Sequence, residues 1–282
     1  MKESKFFSKL SRAKVNLTLN VIGKRSDGYH CLDSLVAFPL IGDKISVKPS
    51  NSINLEIVGP FAKELGAKEN LIMRATSLLD HHGQGASIVL HKVMPISAGL
   101  GGGSSNAAVA LKMLSDLWKQ PLPSITQVAS LGADIPVCLN WDLQRMQGKG
   151  EKLVRVKEPP EMWIVLVNTG ERVSTGLVFD SVKFYRNEEQ GVLPVFKTKG
   201  VFVDYLLNNR NDLEPPATKL FPQIGILLDA IRNTSDCLIS RMSGSGATCF
   251  GLFSKKKEAI KASKDLLNLF PKAWVRVAKL FS

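Results

Sequence analysis

Pro95-Ile-Ser-Ala-Gly-Leu-Gly-Gly-Gly-Ser-Ser-Asn-Ala-Ala108 sets three consecutive glycines and two serines directly before an apolar-periodic run. Lacking side chains, Gly101, Gly102 and Gly103 let the backbone turn tightly and bring its N–H groups close to a ligand. Ala107, Ala110, Leu111, Leu114 and Leu117 then recur at helical spacing, so the spacing predicts a helix from near Ser104. The unpaired N–H groups and positive dipole end of such a helix bind anions, which points to a phosphorylated ligand. Ser104 or Ser105 could cap the helix, and either hydroxyl could face a phosphate or its metal. The plain alternative is a flexible glycine loop whose helix merely needs a cap. No Gly-Lys-Ser/Thr ends the loop, which excludes a Walker A motif, and no Rossmann setting surrounds it.

Other residue types in the chain could complete a phosphoryl-transfer site. Gly132-Ala-Asp134-Ile-Pro136 puts a carboxylate at a helix start, because proline favours the first turn. Residues 13–22 alternate apolar and polar, which predicts a half-buried strand carrying Lys14 and Asn16 on its polar face. Asn211-Asp212-Leu-Glu214 is a polar cluster ahead of a helix, and Ser243-Gly244-Ser245-Gly246 is a small-residue turn between two strands. Each has a plainer reading alone: Asp134 as a helix cap, Lys14 as a surface lysine, the glycine turn as a simple hairpin, Tyr29 and Phe179 as packing residues.

These residues need a scaffold. Strands are predicted at 32–38, 44–48, 53–58 and 86–93, with an amphipathic helix near 70–81. The loop's own helix runs to about Trp118, and Ser124 caps a short helix ending at Gly132. Prolines at Glu158-Pro159-Pro160 mark a boundary, giving two α+β domains, 1–159 and 160–282. Beyond it the pattern gives a strand at 162–168, helices at 175–186, 200–208 and 217–232, and a strand at 237–242. A strand at 247–253, a helix at 256–269 and a last strand at 273–280 follow. Extra helices aside, that order is β-α-β-β-α-β, a ferredoxin-like arrangement.

The 282 residues suffice for two cores. No apolar run spans a bilayer; the apolar run at 162–167 reads as a buried strand. Met1-Lys-Glu-Ser-Lys-Phe-Phe lacks the apolar core and cleavage site of a signal peptide. Cys31, Cys138, Cys237 and Cys249 show no CxxC spacing and the four histidines form no ligand pair, so reduced thiols in the cytoplasm are expected, without a structural metal. The net charge of +12 suits a nucleic acid, an anionic membrane or a phosphorylated small molecule. Its only tight run, Lys255-Lys256-Lys257, opens a predicted helix and reads as a solvated face, so neither a nucleic-acid nor a membrane partner is expected.

Taken in order, the segments resemble the GHMP kinase superfamily, named for galactokinase, homoserine kinase, mevalonate kinase and phosphomevalonate kinase. The resemblance covers nearly the whole chain. It rests on Ala13-Lys14-Val-Asn16-Leu, Arg25-x-Asp27-Gly28-Tyr29-His30, Gly99-Leu-Gly-Gly-Gly-Ser-Ser-Asn106-Ala-Ala, Gly132-Ala-Asp134-Ile-Pro136, Asn211-Asp212-Leu-Glu214 and Ser243-Gly-Ser-Gly246. It implies an N-terminal ATP-binding domain (ribosomal protein S5-like) and a C-terminal ferredoxin-like domain. The Asp-Gly-Tyr-His segment is similar to the branch that phosphorylates the 2-hydroxyl of 4-diphosphocytidyl-2-C-methyl-D-erythritol with ATP, in non-mevalonate isoprenoid biosynthesis.

The resemblance also implies roles. Asp134 is expected as the catalytic aspartate with Lys14 beside it, Pro95 and Gly99, Leu100, Gly101, Gly102, Gly103, Ser104, Ser105 and Asn106 as the ATP phosphate loop. Asn16, Tyr29, His30, Thr175 and Phe179 are expected at the substrate, with cytosine between Tyr29 and Phe179, and Ser243 to Gly246 as a supporting turn. ATP and Mg²⁺ are the expected cofactors, with Ser105 a candidate metal ligand, and a monomer or weak homodimer is expected. Ile96-Ser97-Ala98 departs from the family, which commonly carries more glycine there. Two alternatives stand beside this reading: another GHMP kinase of homoserine or mevalonate type, and a basic nucleotide- or RNA-binding protein without catalysis.

Overall fold

A computed structural model describes residues 6–65, 70–183, 185 and 189–281. Two compact units are present, each discontinuous in sequence: residues 1–13, 41–96 and 101–141 in the first, and 14–40, 97–100 and 142–282 in the second. The crossings therefore fall at 13/14, 40/41, 96/97, 100/101 and 141/142, not at Glu158-Pro159-Pro160. Those prolines lie inside the second unit.

In the first unit, β1 (Phe7–Arg12), β5 (Gly42–Ser50), β7 (Gly85–His91) and β6 (Asn54–Val58) form one sheet in that order. Pairing is antiparallel except between β6 and β7, whose parallel partnership requires a crossover; α1 (Leu71–Thr76) lies in it. Ile45 and Val47 on β5 and Ile88 and Leu90 on β7 are fully or almost fully buried at alternate positions. α2 (Gly102–Trp118) contributes Ala107, Ala110, Leu111 and Leu114 to the same interior. Burying each such Leu or Ile stabilises by roughly 1.5–3 kcal/mol. α3 (Ile125–Leu131) is held by a capping box between Ser124 and Gln127, and α4 (Ile135–Cys138) follows.

In the second unit, β2 (Val15–Asn16), β4 (His30–Ala37), β8 (Gln144–Gly148) and β9 (Lys152–Arg155) form a sheet in that order, with β3 (Asn20–Lys24) also on β4. A second sheet runs β11 (Ile239–Met242), β12 (Cys249–Phe253), β10 (Trp163–Asn168), β13 (Trp274–Lys279), all antiparallel. That is the ferredoxin-like order expected of the β-α-β-β-α-β pattern. α5 (Thr175–Asp180), α6 (Lys199–Leu207), α7 (Glu214–Leu220) and α8 (Pro222–Arg232) fall between β10 and β11, and α9 (Lys256–Leu269) between β12 and β13. Leu227 and Ile231 of α8 and Ala262 and Leu266 of α9 join Val165 and Phe253 in the core. Lys255, Lys256 and Lys257 are exposed, and Glu258 reaches back to the Lys255 N–H.

Several expectations are corrected. The 13–22 segment is two short strands, and its polar residues Lys14, Asn16, Thr18 and Asn20 are all buried. Its second face meets polar partners: Asn16 Nδ2 donates to Ser34 Oγ at 2.8 Å and Thr18 Oγ1 to Gln190 Oε1 at 2.8 Å. The 217–232 helix is two, because Pro222 has no N–H with which to continue the first. The 70–81 helix ends at Thr76, and the 175–186 helix ends at Asp180, with residues 184 and 186 outside the described ones. Residues 1–5 also lie outside. Among the described residues, no helix is long and apolar enough to cross a membrane.

Candidate active site

Of the glycine segment, Pro95 and Ile96 belong to the first unit, residues 97–100 to the second, and Gly101 onward to the first again. In the first unit, α2 begins at Gly102 rather than near Ser104, and its N-cap is Gly101 in the left-handed conformation, φ +58°. No side chain caps this helix, so neither Ser104 nor Ser105 has the capping role expected. The first-turn N–H groups of Gly102, Gly103 and Ser104 have no partner within the helix and suit an anion. Ser105 is fully buried; its hydroxyl donates to the Arg12 carbonyl at 2.6 Å and accepts from Ser11 at 3.0 Å. The Ser105 hydroxyl is thus engaged inside this unit.

Beneath the glycine turn lies an ion pair that sequence reading missed. Asp43, fully buried at the start of β5, accepts from the Val93 and Met94 N–H groups at 2.7 and 2.9 Å through Oδ1. Through Oδ2 it accepts from Lys92 Nζ at 2.5 Å and Asn106 Nδ2 at 3.1 Å. Burial pushes the Lys92 ammonium below its usual range, and Asp43 opposes that shift. A Cβ at Gly102 would come within 3.3 Å of Lys92 Nζ and 3.4 Å of Met94 Cε, so glycine there lets the helix start sit directly on the pair. The two charges are 49 residues apart, beyond any local pattern.

Asp134 also belongs to the first unit. It stands at the N-cap of α4, with Pro136 in the first turn, yet its side chain makes no capping hydrogen bond. The plain reading of Asp134 as a helix cap therefore fails.

In the second unit, the first half of the glycine segment is clamped by the 243–246 turn. Gly99 has φ +72°, and a Cβ there would lie 2.3 Å from the Ser243 carbonyl oxygen and 2.8 Å from that of Gly246. The Ser243 hydroxyl donates to the Gly99 carbonyl at 2.8 Å and accepts from the Asn16 N–H at 3.2 Å. The Thr248 N–H donates to Ala98 O at 3.1 Å, and the Lys14 N–H to Leu100 O at 2.8 Å. Lys14 and Asn16 thus join the loop and the turn through backbone and hydroxyl contacts. Ser97, at φ +51°, takes a left-handed conformation that costs a non-glycine residue roughly 1–2 kcal/mol.

The Asn211-Asp212-Leu-Glu214 cluster fastens the same turn. Asn211 Nδ2 donates to the Met242 and Gly244 carbonyls, both at 2.9 Å, while Asp212 and Glu214 accept the N–H groups of Val21 and Met242 at 2.8 Å. Thr175 Oγ1 lies 2.9 Å from Ser245 Oγ, which brings Thr175 to the turn as well.

Farther along the second unit, Asp27 accepts from Arg25 and from the Tyr29 N–H at 3.2 Å, closing a turn at Gly28 (φ +85°). The Arg25 guanidinium holds the Asp27 carboxyl below the usual range. This turn presents Tyr29, which is 57% exposed, with Lys149 Nζ 5.2 Å from its ring centre. Phe179 faces the His30 imidazole, centroids 4.8 Å apart and planes 26° from parallel. Burial, then the Lys24 ammonium, push the His30 imidazole below its usual range, with Asp180 opposing.

In the first unit the α2 start can hold an anion on its first-turn N–H groups; in the second, the exposed Tyr29 ring offers a flat face. A family described as GHMP kinases N terminal domain matches residues 70–140, and one described as GHMP kinases C terminal matches residues 203–272. A 4-diphosphocytidyl-2-C-methyl-D-erythritol kinase of Cereibacter sphaeroides is 45% identical over 96% of this chain and 98% of its own length. One of Paramagnetospirillum magneticum is 44% identical over 98% and 99%. A crystal structure of 4-(cytidine 5'-diphospho)-2C-methyl-D-erythritol kinase superposes with a TM-score of 0.76 at 33% identity, covering 98% of this chain and all of that one. A mevalonate kinase of L. major, at 15% identity and TM-score 0.67, shares the fold. With so much of its length matched at such identity, the chain belongs to the 4-diphosphocytidyl-2-C-methyl-D-erythritol kinase family of the GHMP kinases.

Proposed function

We propose that this chain transfers the γ-phosphoryl group of ATP to the 2-hydroxyl of 4-diphosphocytidyl-2-C-methyl-D-erythritol, giving the 2-phosphate and ADP in non-mevalonate isoprenoid precursor biosynthesis. The observation that carries the reading is the near full-length identity of 45% to a kinase of that name. The homoserine and mevalonate kinases, at 14% and 15%, share the fold alone.

Phosphoryl transfer needs positioning, charge neutralisation and a group that orients the attacking hydroxyl and accepts its proton. Asp134 fills the last role: its carboxylate makes no capping bond to its own helix. Lys14 serves as the cation that offsets charge on the transferring group. The loop from Pro95 through Gly99 to Asn106 holds the triphosphate, with the uncapped N–H groups of α2 toward its oxygens. Asn16 and Thr175 meet the acceptor alcohol, and Ser243 to Gly246 support the loop.

A Mg²⁺ ion with ATP would supply neutralisation of the β- and γ-phosphate charge. A hard cation needs oxygen donors. Asn106 Oδ1 is buried without a hydrogen-bond partner among the described residues, and Ser104 stands two residues before it on α2. The unpaired Asn106 oxygen fits such a cation. We place the enzyme in the cytoplasm, as a monomer or weak homodimer.

The assay is ADP release on adding the cytidine-diphosphate-linked compound, with homoserine and mevalonate as controls; release with a control and not with the cytidine compound overturns the reading. At the base, Tyr29→Ala removes a stacking face worth roughly 1–3 kcal/mol. The KM for the cytidine compound is expected to rise about 5–150-fold on that basis, with ATP affinity within about twofold of wild type. Equal weakening of both ligands would show that Tyr29 does not stack on the base.

A further inference from the structure

The His30 side chain is held by more than Phe179. Nε2 of His30 lies 3.3 Å from the Tyr185 hydroxyl, and the two rings are 5.9 Å apart and tilted by 48°. No sequence feature singled out Tyr185, which lies beyond the end of α5. An imidazole rotated half a turn about Cβ–Cγ exchanges Nδ1 with Cδ2 and Nε2 with Cε1. Phe179 stacking fixes the plane of the ring and tolerates either orientation. The Tyr185 contact does not, because only one orientation brings a nitrogen to the phenol. In the tautomer whose Nε2–H donates to the phenol oxygen, Nδ1 is the one remaining polar atom of the ring and can only accept.

We propose that Tyr185 is a positioning residue for base specificity: by holding Nε2 of His30, it fixes Nδ1 as the atom that meets the pyrimidine. This rests on the cytidine-linked substrate proposed above. Cytosine and uracil differ at the edge such an atom reads, cytosine offering an amino donor where uracil has a carbonyl acceptor. A ring free to flip would present Cδ2 part of the time, an atom that cannot tell them apart. The Tyr185 contact therefore adds selectivity as well as affinity.

The test uses the full chain and the substitution Tyr185→Phe, which keeps the ring and removes the hydroxyl. The KM for the cytidine compound is expected to rise about tenfold, the upper end for one neutral hydrogen bond. The kcat at saturation and the KM for ATP stay within about twofold, which also reports an intact fold. Preference over the uridine-diphosphate-linked analogue narrows, and the His30 ring ¹⁵N shifts move. In a His30→Ala background, Tyr185→Phe adds no further loss, as expected of residues acting through one another. An active wild type whose KM is unchanged by Tyr185→Phe, or additive losses in the double variant, would overturn the proposal alone. Absence of ADP release by the wild type would overturn the functional reading, and this proposal with it.

Discussion

Replacing Asp134 with Asn is expected to lower kcat about 10²–10⁴-fold, the usual consequence of removing a general base. Asn keeps the size and polarity of the side chain and cannot take up the proton of the attacking hydroxyl. Nothing in the structure ties the Asp134 side chain to capping α4, so the substitution leaves that helix its proline start. ATP binding measured by calorimetry should therefore stay within about twofold of wild type while ADP release at saturating substrate collapses. Turnover near the wild-type value would remove Asp134 from the mechanism, whatever the substrate.

The second large effect is on stability. Lys92→Met leaves the Asp43 carboxylate, 0% exposed, without its ammonium partner. Breaking a buried pair by removing one partner typically costs about 3–5 kcal/mol, because the remaining charge stays desolvated. At roughly 2–4 °C per kcal/mol for a chain of this size class, the thermal midpoint should fall about 6–20 °C. Asp43→Asn in the Lys92→Met background should recover part of that loss, since the unpaired charge is then gone. Three other groups donate to Asp43: the backbone N–H groups of Val93 and Met94 and the Asn106 amide at the start of α2. Losing the pair should thus also weaken ATP binding by loosening the turn at Gly102. An unchanged midpoint would show that these three donors suffice for the buried carboxylate.

Legibility in the sequence followed the range of the interactions involved. α9 matches its expected span of 256–269, and α3 begins at its Ser124 cap, because apolar period and capping residues are local signals. The ferredoxin-like strand order likewise followed from element order alone. β8 went unread because Gln-Arg-Met-Gln-Gly carries no apolar alternation and pairs through its backbone. The segment from Ala13 to Val21 looked half-buried because its polar residues lie at alternate positions. The partners of Asn16 and Thr18, namely Ser34, Ser243 and Gln190, come from other parts of the chain, and no local rule announces a polar residue that is buried against such partners.

At the site itself, the glycine segment, Asp134, Lys14 and the Tyr29-His30 pair stood out by residue type and order. The position of the helix start did not, because glycine is a poor helix former on propensity alone. Here Gly102 sits in the first turn, where a Cβ would press on the ends of the Lys92 and Met94 side chains. Asp43, Lys92 and Tyr185 were invisible for the same reason as the buried polar strand: each matters through a contact many residues away.

The most direct measurement is ³¹P NMR of the purified chain with ATP, Mg²⁺ and the cytidine-diphosphate-linked methylerythritol compound. The account predicts one new phosphomonoester resonance on the methylerythritol 2-oxygen, growing in step with ADP, while the diphosphate resonances of the substrate persist. A phosphomonoester at another hydroxyl, or ADP accompanied only by inorganic phosphate, would contradict it.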